Sequence, residues 1–194
     1  VPPAAGTAPD GGRGAGERPP TLAPPWWRAH GGLLGGGIVL ALLAVPLAIA
    51  LGVLHSPRWY PLLDLAQAEM RVRDVASSHP PLVGAAGRIE ALGVRGSHPG
   101  PLSWYILWPL YALGGSTAWA LQAATAASHL VAAGLTLWLA HRRGGARSLI
   151  VFGAALAVLG HVYGPAQLTE AWNPYLPLLW WFTFLVAAWS VLCR

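Results

Sequence analysis

Apolar residues occur in this chain in long blocks separated by shorter polar stretches, unlike the amphipathic patterns typical of water-soluble domains. A helix needs about 20 apolar residues to cross a bilayer, and each block approaches or exceeds that length. The expected fold class is therefore an all-α membrane protein, with its membrane domain over residues 31–194. Four transmembrane helices are predicted, over residues 31–54, 116–141, 148–163 and 175–193.

The polar segment between the first two blocks, residues 55–115, contains two further helical patterns. Between residues 62 and 76 the apolar side chains fall on one arc at helical spacing, which predicts an amphipathic helix along the membrane surface. Residues 102–113 are apolar and aromatic but too short to cross, so a second interfacial helix is expected there. Prolines between the two patterns indicate turns, because they interrupt helices.

The positions of the basic residues predict an orientation. Residues 1–30 are rich in Pro, Gly and Ala and are expected to form a disordered tail. Arg28 closely precedes the first span, which by the positive-inside rule places the tail in the cytoplasm and the 55–115 loop outside. We therefore expect a multi-pass protein of the plasma membrane. A second basic cluster marks a cytoplasmic turn between the second and third spans: Arg142, Arg143 and Arg147.

Composition supports the membrane assignment and excludes one class of partner. The chain is 55% hydrophobic and 10% charged, and its net charge of +5 comes from arginine alone. Such a charge would suit nucleic acid, but the arginines are spread out and several flank apolar blocks, as topology determinants do. The expected partner is thus the lipid bilayer and not nucleic acid. The single cysteine, Cys193, permits no internal disulfide.

Acidic side chains are concentrated on the predicted outer side, with four in the first outer loop and Glu170 in the second, residues 164–174. Asp64 begins the surface helix, where it would either favour the positive end of the helix dipole or act as a general base toward an acceptor hydroxyl. Glu170 is either a solvated loop charge or a second carboxylate beside Asp64. Glu69 and Arg73 have the spacing of a structural i,i+4 ion pair.

Histidines offer a weaker set of candidates. His79 and His98 each precede proline and could ligate a divalent metal together with Asp64 and Glu170, although no short-range ligand spacing accompanies them. No motif specifies a cofactor. Two polar residues lie inside the second span, where they would hydrogen-bond to a neighbouring helix or line a pathway: Gln122 and His129.

The order of these features resembles the N-terminal part of the C-superfamily (GT-C) glycosyltransferases, in particular the protein-mannosyltransferase-like and aminoarabinose-transferase-like membrane enzymes. The resemblance rests on Asp64 with Glu69 on a surface helix, on a proline motif before a short aromatic helix, and on Glu170 in the second loop. The motif reads His98-Pro99-Gly100-Pro101-Leu102 and is followed by Tyr105. Two departures are the absence of an acid next to Asp64 and the insertion of Gly100.

Membership of this family implies an inverting enzyme that uses a polyprenyl-phosphate sugar donor on the outer face. Asp64 would then be catalytic and Glu170 a supporting acid. Basic groups near the outer surface would meet the lipid phosphate, for which the candidates are Arg71, Arg73, Arg88 and Arg95. The substrate-binding residues implied are Glu69, Arg71, Arg73, His98 and Tyr105.

An alternative function is a non-enzymatic membrane subunit or a transporter half, with Gln122, His129 and Glu170 along a path. A transporter is expected to place ionisable residues at the bilayer midplane, whereas the acids here lie in loops, which favours the enzyme. Members of the family continue through further spans. The chain is therefore expected to be the N-terminal portion of such an enzyme, or a shortened form, and inactive by itself.

Overall fold

The structure, a computed structural model, describes residues 26–55, 60–98 and 100–192. It is mostly helical, with one small antiparallel sheet. The predicted tail lies outside the described residues except for its last five residues, which form the first turn of α1. The elements in chain order are α1 (Trp26–His55), α2 (Leu63–Asp74), β1 (Ala86–Ala91), β2 (Val94–Ser97), α3 (Leu102–Leu113), α4 (Ala118–Thr169) and α5 (Leu178–Leu192).

The first helix begins five residues earlier than the apolar pattern predicted. Residues 26–30 contain no helix breaker, and the nearest prolines on the N-terminal side are Pro24 and Pro25. Proline stops a helix more strongly than any other residue, so α1 can extend toward the N-terminus as far as Pro25 regardless of the hydropathy of residues 26–30. The tail predicted over residues 1–30 is thus too long at its C-terminal end.

Helix α4 folds back on itself at a glycine pair. Gly144 and Gly145 have non-helical backbone angles, and Gly145 has a φ of 59° and a ψ of −148°. A Cβ added at Gly153 would lie 3.7 Å from Leu137 Cδ2. These two residues would be about 24 Å apart in a continuous helix. Residues 118–143 (α4a) and 146–163 (α4b) are therefore antiparallel neighbours, and the chain turns within the arginine cluster identified in the sequence.

Helix α1 packs along α4. A Cβ on Gly153 would lie 3.3 Å from Val39 Cγ1. The absence of a side chain at Gly153 therefore lets α1 approach α4b closely. At the other end of α1, the indole of Trp119 donates a hydrogen bond of 2.9 Å to the carbonyl oxygen of Leu51. Helix α5 packs on α4a through a hydrogen bond of 3.0 Å between the hydroxyls of Thr136 and Thr183.

Two described helices are long and apolar enough to cross a membrane, namely Gly31–His55 of α1 and the whole of α4. Helices α3 and α5 are apolar but shorter, with 12 and 15 residues. At 1.5 Å per residue, α5 is about 22 Å long, less than the ~30 Å hydrocarbon thickness. The predicted fourth span is therefore shorter in the structure than residues 175–193, because residues 174–177 form a turn; Cys193 lies outside the described residues.

A β-hairpin occupies the segment between α2 and α3, and the all-α expectation was wrong there. Strands β1 and β2 pair with Glu90 opposite Arg95 and Ala91 opposite Val94. Leu92 and Gly93 both have positive φ, at 54° and 73°. Positive φ at both central residues is the geometry of the two-residue turn that matches the twist of paired strands.

A second core joins α2, α3 and the beginning of α4. Its largest fully buried side chains are Leu107 and Tyr111 of α3 and Leu121 of α4, and Val72 of α2 is fully buried with them. Helix α3 begins directly after Pro101 and ends at Gly114, as the sequence pattern predicted. A Cβ on Gly114 would lie 2.6 Å from that of Ala120, so glycine permits the close approach of α3 and α4.

The beginning and the end of α4 differ in how well they were predicted. The hydroxyl of Thr117 accepts a hydrogen bond of 3.1 Å from the Ala120 amide, which makes Thr117 the N-cap. At the other end, the second outer loop was expected over residues 164–174. Gly164 does break the helix, but Pro165 restarts it and the helical turn continues to Thr169. Proline is compatible with a first helical turn, so the irregular part of this loop begins only at Glu170.

Candidate functional site

Asp64 lies in the first turn of α2 and faces an open cavity of about 500 Å³. The helix begins at Leu63, whose φ is 51°, directly after Leu62, whose backbone is extended. Gln67 and Ala68 line the same cavity. They follow Asp64 by three and four residues and therefore share its side of the helix. In the first half of α2, the polar side chains of Asp64 and Gln67 thus line this cavity.

The base of the hairpin forms a second wall of the cavity and brings His98 to it. The His98 amide donates a hydrogen bond of 2.8 Å to the carbonyl oxygen of Ala85, which closes the hairpin at its base. A Cβ on Gly87 would lie only 2.9 Å from the carbonyl oxygen of Gly96. Glycine is therefore required where the two strands approach most closely, and both glycines line the cavity.

The second outer loop supplies the third wall, through residues 171–174. Its shape is stabilised by a hydrogen bond of 3.0 Å from the Tyr175 amide to the carbonyl oxygen of Trp172, and the two rings meet edge to face at 5.2 Å. Glu170 is half-buried at the end of α4, one residue before this wall. Among the described residues, Glu170 is not one of those that line the cavity. The structure therefore brings residues 171–174 to the cavity of Asp64 but does not place Glu170 in its lining.

Glu69 and Arg73 face a different cavity and form a structural network. Their ion pair measures 2.9 Å, as the i,i+4 spacing predicted. The hydroxyl of Tyr111 lies 3.0 Å from the Glu69 carboxylate and 3.2 Å from Arg73 Nε and Nη2, at hydrogen-bond distance from both partners. This network attaches the second half of α2 to α3. Both charged groups line a cavity of about 780 Å³ together with His55 and Trp119.

The network also changes the proton affinity of two of its members. Burial raises the pKa of Tyr111 above its ordinary value of 10.0, because it disfavours the charged phenolate. The hydrogen bond to Tyr111 raises the pKa of Arg73 above its ordinary value, with a smaller contribution from the charge of Glu69. The pair Arg73–Tyr111 is therefore held in its cationic and neutral forms across the physiological range.

The remaining substrate-binding candidates make local contacts. The hydroxyl of Tyr105 donates a hydrogen bond of 3.1 Å to the carbonyl oxygen of Pro81, so it supports the loop before the hairpin. Arg95 lies 4.0 Å from Glu90 across the hairpin, and both side chains are more than half exposed. Arg71 is half-buried on α2. The side chain of Arg88 lies outside the described part of the structure.

The two metal-ligand candidates lie apart from one another. His79 is exposed, and its Nδ1 lies 2.9 Å from the hydroxyl of Ser78. His98 is exposed in the wall of the Asp64 cavity. Within the ranges that the structure describes, no three His, Cys, Asp or Glu side chains are grouped so that they could hold a metal. The divalent-metal arrangement considered with Asp64 and Glu170 is therefore not assembled in these residues.

The polar residues inside α4a differ from what the sequence suggested. Gln122 and His129 are buried, yet Gln122 Oε1 and both ring nitrogens of His129 have no hydrogen-bond partner among the described residues. The expected hydrogen bonds to a neighbouring helix are instead made by other side chains. Trp180 Nε1 donates one of 2.8 Å to Ser128, and Thr183 donates one to the carbonyl oxygen of Ala132.

The cavity that contains Asp64 thus combines a carboxylate, an imidazole and an amide side chain at the mouth of a helical bundle. Its volume lies within the range of small-molecule sites, and its polar groups come from three separate segments of the chain. Comparison of the chain with protein-family models, with curated proteins and with solved structures found no match.

Proposed function

We propose that this chain is the N-terminal membrane portion of an outer-face glycosyltransferase, in which Asp64 acts on the acceptor of a sugar from a polyprenyl-phosphate donor. The observation that carries the proposal is the shared cavity: Asp64 of the first outer loop, His98 of its proline motif and residues 171–174 of the second outer loop line one space. These are the segments that the family resemblance places at the active site.

The proposed reaction is a direct displacement with inversion. The Asp64 carboxylate takes the proton of an acceptor hydroxyl while that oxygen bonds to the anomeric carbon of the sugar. The bond from this carbon to the phosphate oxygen breaks, and the electron pair leaves with the polyprenyl phosphate. A general base requires access to the hydroxyl at hydrogen-bond distance. The exposure of Asp64 in an open cavity meets that requirement.

Charge near the cavity suits an anionic donor. Arg95 is 65% exposed on β2, directly before the Gly96–His98 wall, where it can approach a lipid phosphate at the cavity edge. Arg73 is 63% exposed and faces the neighbouring cavity, with one nitrogen already bonded to Glu69. Arg95 is therefore assigned the donor phosphate, while Arg73 acts mainly through its attachment of α2.

The proposal includes four crossings of the plasma membrane, by α1, α4a, α4b and α5, with the tail in the cytoplasm. Two observations support this topology. The fold-back at Gly144–Gly145 makes α4 two antiparallel segments, so its ends lie on the same side. Residues 171–174, which follow α4b, share a cavity with α2, which follows α1. The positive cluster at the turn then lies on the cytoplasmic side.

The catalytic assignment is tested by replacing Asp64 with asparagine in the full-length gene product and measuring sugar transfer in membranes. Loss of a general base is expected to reduce transfer by about 100-fold or more. Asp74→Asn provides the matched control, because Asp74 is a carboxylate at the opposite end of the same helix. Equal transfer by the Asp64→Asn protein and the control would refute the role of Asp64.

A further inference from the structure

A third cavity, of about 580 Å³, lies between α1, both halves of α4 and α5. Its walls are almost entirely aliphatic, with glycine at positions 153 and 160 and proline at positions 46 and 165. Among the residues that the structure describes, its polar lining side chains are His129 and His161. Its lining residues are not shared with the cavity of Asp64, so what it binds is independent of the proposed sugar transfer.

His129 gives this cavity a specific chemical character. Its side chain is completely buried, and neither ring nitrogen has a hydrogen-bond partner among the residues that the structure describes. A neutral imidazole carries one donor and one acceptor, and buried polar groups of folded proteins are almost always paired. An oxygen-bearing group within the cavity would therefore stabilise the buried ring.

The cavity is long as well as apolar. Along α4b its lining residues run from Ile150 to His161, which corresponds to about 16 Å of helix. Gly160 has no atom within 4 Å of the position a Cβ would take, so the helix surface there is open. His129 faces this groove from α4a, and His161 is exposed at one end of it. This shape suits an extended hydrocarbon chain.

Charge and hydration narrow the choice of ligand. No Asp, Glu, Arg or Lys side chain of the described ranges lines the cavity, so a phosphate or carboxylate headgroup would be buried there without a counter-charge at a large cost. Water would fill the volume with about 19 molecules, each of which needs two to four polar partners. The aliphatic walls offer these waters few hydrogen bonds beyond those they make with one another, which favours an uncharged and mainly apolar occupant.

We propose that this cavity binds a neutral lipid consisting of one hydrocarbon chain and a hydroxyl group, with the hydroxyl bonded to His129. A hydroxyl both donates and accepts, so it pairs with the imidazole in either tautomer. The aliphatic walls of α1 and α4b enclose the chain. Binding is reversible and involves no covalent step.

The test uses the purified chain in detergent with a photoactivatable long-chain alcohol as the probe. Crosslinked peptides are expected to come from α4b and the facing part of α1, and hexadecanol should compete for labelling better than hexadecane. The expected preference is about fivefold, equivalent to a net ~1 kcal/mol for one hydrogen bond. Equal competition by alcohol and alkane would show nonselective filling by hydrocarbon and overturn the proposal.

Two variants and a control separate specific binding from a folding defect. Gly160→Leu places a side chain in the open groove and should reduce labelling to background. Gly52→Leu is the matched control: Gly52 lies on α1, has the same open surroundings and does not line the cavity. His129→Leu preserves the volume and should retain labelling while losing the preference for the alcohol. Wild-type labelling of the Gly160→Leu protein, with circular dichroism unchanged, would exclude this site.

Discussion

Replacement of Tyr111 by phenylalanine tests how α2 is held in place. The ring of Tyr111 is 1% exposed, and its hydroxyl lies at hydrogen-bond distance from Glu69, Arg73 and the carbonyl oxygen of Ser116. Phenylalanine preserves the packing and removes the hydroxyl alone. Hydrogen bonds that involve a charged partner contribute about 1.5–3 kcal/mol, so the free energy of unfolding should fall by about 2 kcal/mol.

Tyr105 offers a matched control on the same helix. It is 38% exposed, and its hydroxyl makes a single neutral hydrogen bond of 3.1 Å to the carbonyl oxygen of Pro81. Tyr105→Phe should therefore cost about 0.5–1 kcal/mol. The measurement is denaturant unfolding of each variant in detergent, followed by circular dichroism. If Tyr111→Phe costs no more than Tyr105→Phe, the Glu69–Arg73–Tyr111 network does not hold α2.

The burial of Tyr111 also predicts that the stability of the protein depends on pH. Because burial raises the pKa of Tyr111 above 10.0, the folded protein retains the phenol proton more tightly than the unfolded chain does. This contribution to stability is complete below the unfolded pKa and is lost as the pH rises through the folded value. Tyr111→Phe should flatten the decline of stability above pH 10 relative to wild type. An identical decline in both proteins would contradict the raised pKa of the buried Tyr111 phenol.

Three further outcomes are expected from other parts of the fold. Leu107→Ala should cost about 2–5 kcal/mol of unfolding free energy because Leu107 is 1% exposed, while Leu113→Ala on the same helix, 84% exposed, should stay within about 0.5 kcal/mol. Gly145→Ala should cost about 1–3 kcal/mol in the same assay because its backbone angles belong to glycine, whereas Gly52→Ala should be neutral or stabilising. A cysteine at Ser78, with the native cysteine removed, should react with an impermeant thiol reagent from outside intact cells; labelling only after permeabilisation would invert the topology.

Helix-breaking prolines and glycines explain which helix boundaries could be predicted from the sequence. Helix α3 has the predicted bounds because Pro101 and the glycines at 114–115 interrupt the apolar pattern on either side. The turn within α4 was predictable from charge, since arginines flank a pair of glycines. The hairpin was missed because its turn is Leu92-Gly93 and not Asn-Gly or Asp-Gly. Its strands are also short, with six and four residues, and β2 is exposed along its whole length, so it has no buried apolar face to reveal it.

The candidate site was predictable in composition but not in arrangement. The sequence grouped Asp64 with Glu69, yet five residues turn a helix by about 140°, so the two carboxylates belong to different sides of α2. That separation follows from periodicity alone. The hydrogen bond between Glu69 and Tyr111 cannot be predicted from periodicity. The two residues are 42 positions apart, and the packing of the folded chain decides which distant side chains meet. The approach of residues 171–174 to Asp64 is likewise a property of the tertiary fold.

The division of α2 has an evolutionary consequence. Its first half carries Asp64 and Gln67 toward one cavity, while its second half attaches the helix to α3 through Glu69, Val72 and Arg73. The two sets share no side chain, so selection can act on them separately. Substitutions at positions 67 and 68 are therefore expected to change the lining of the Asp64 cavity while the attachment stays intact. Loss of the attachment should instead be accompanied by compensating change in α3.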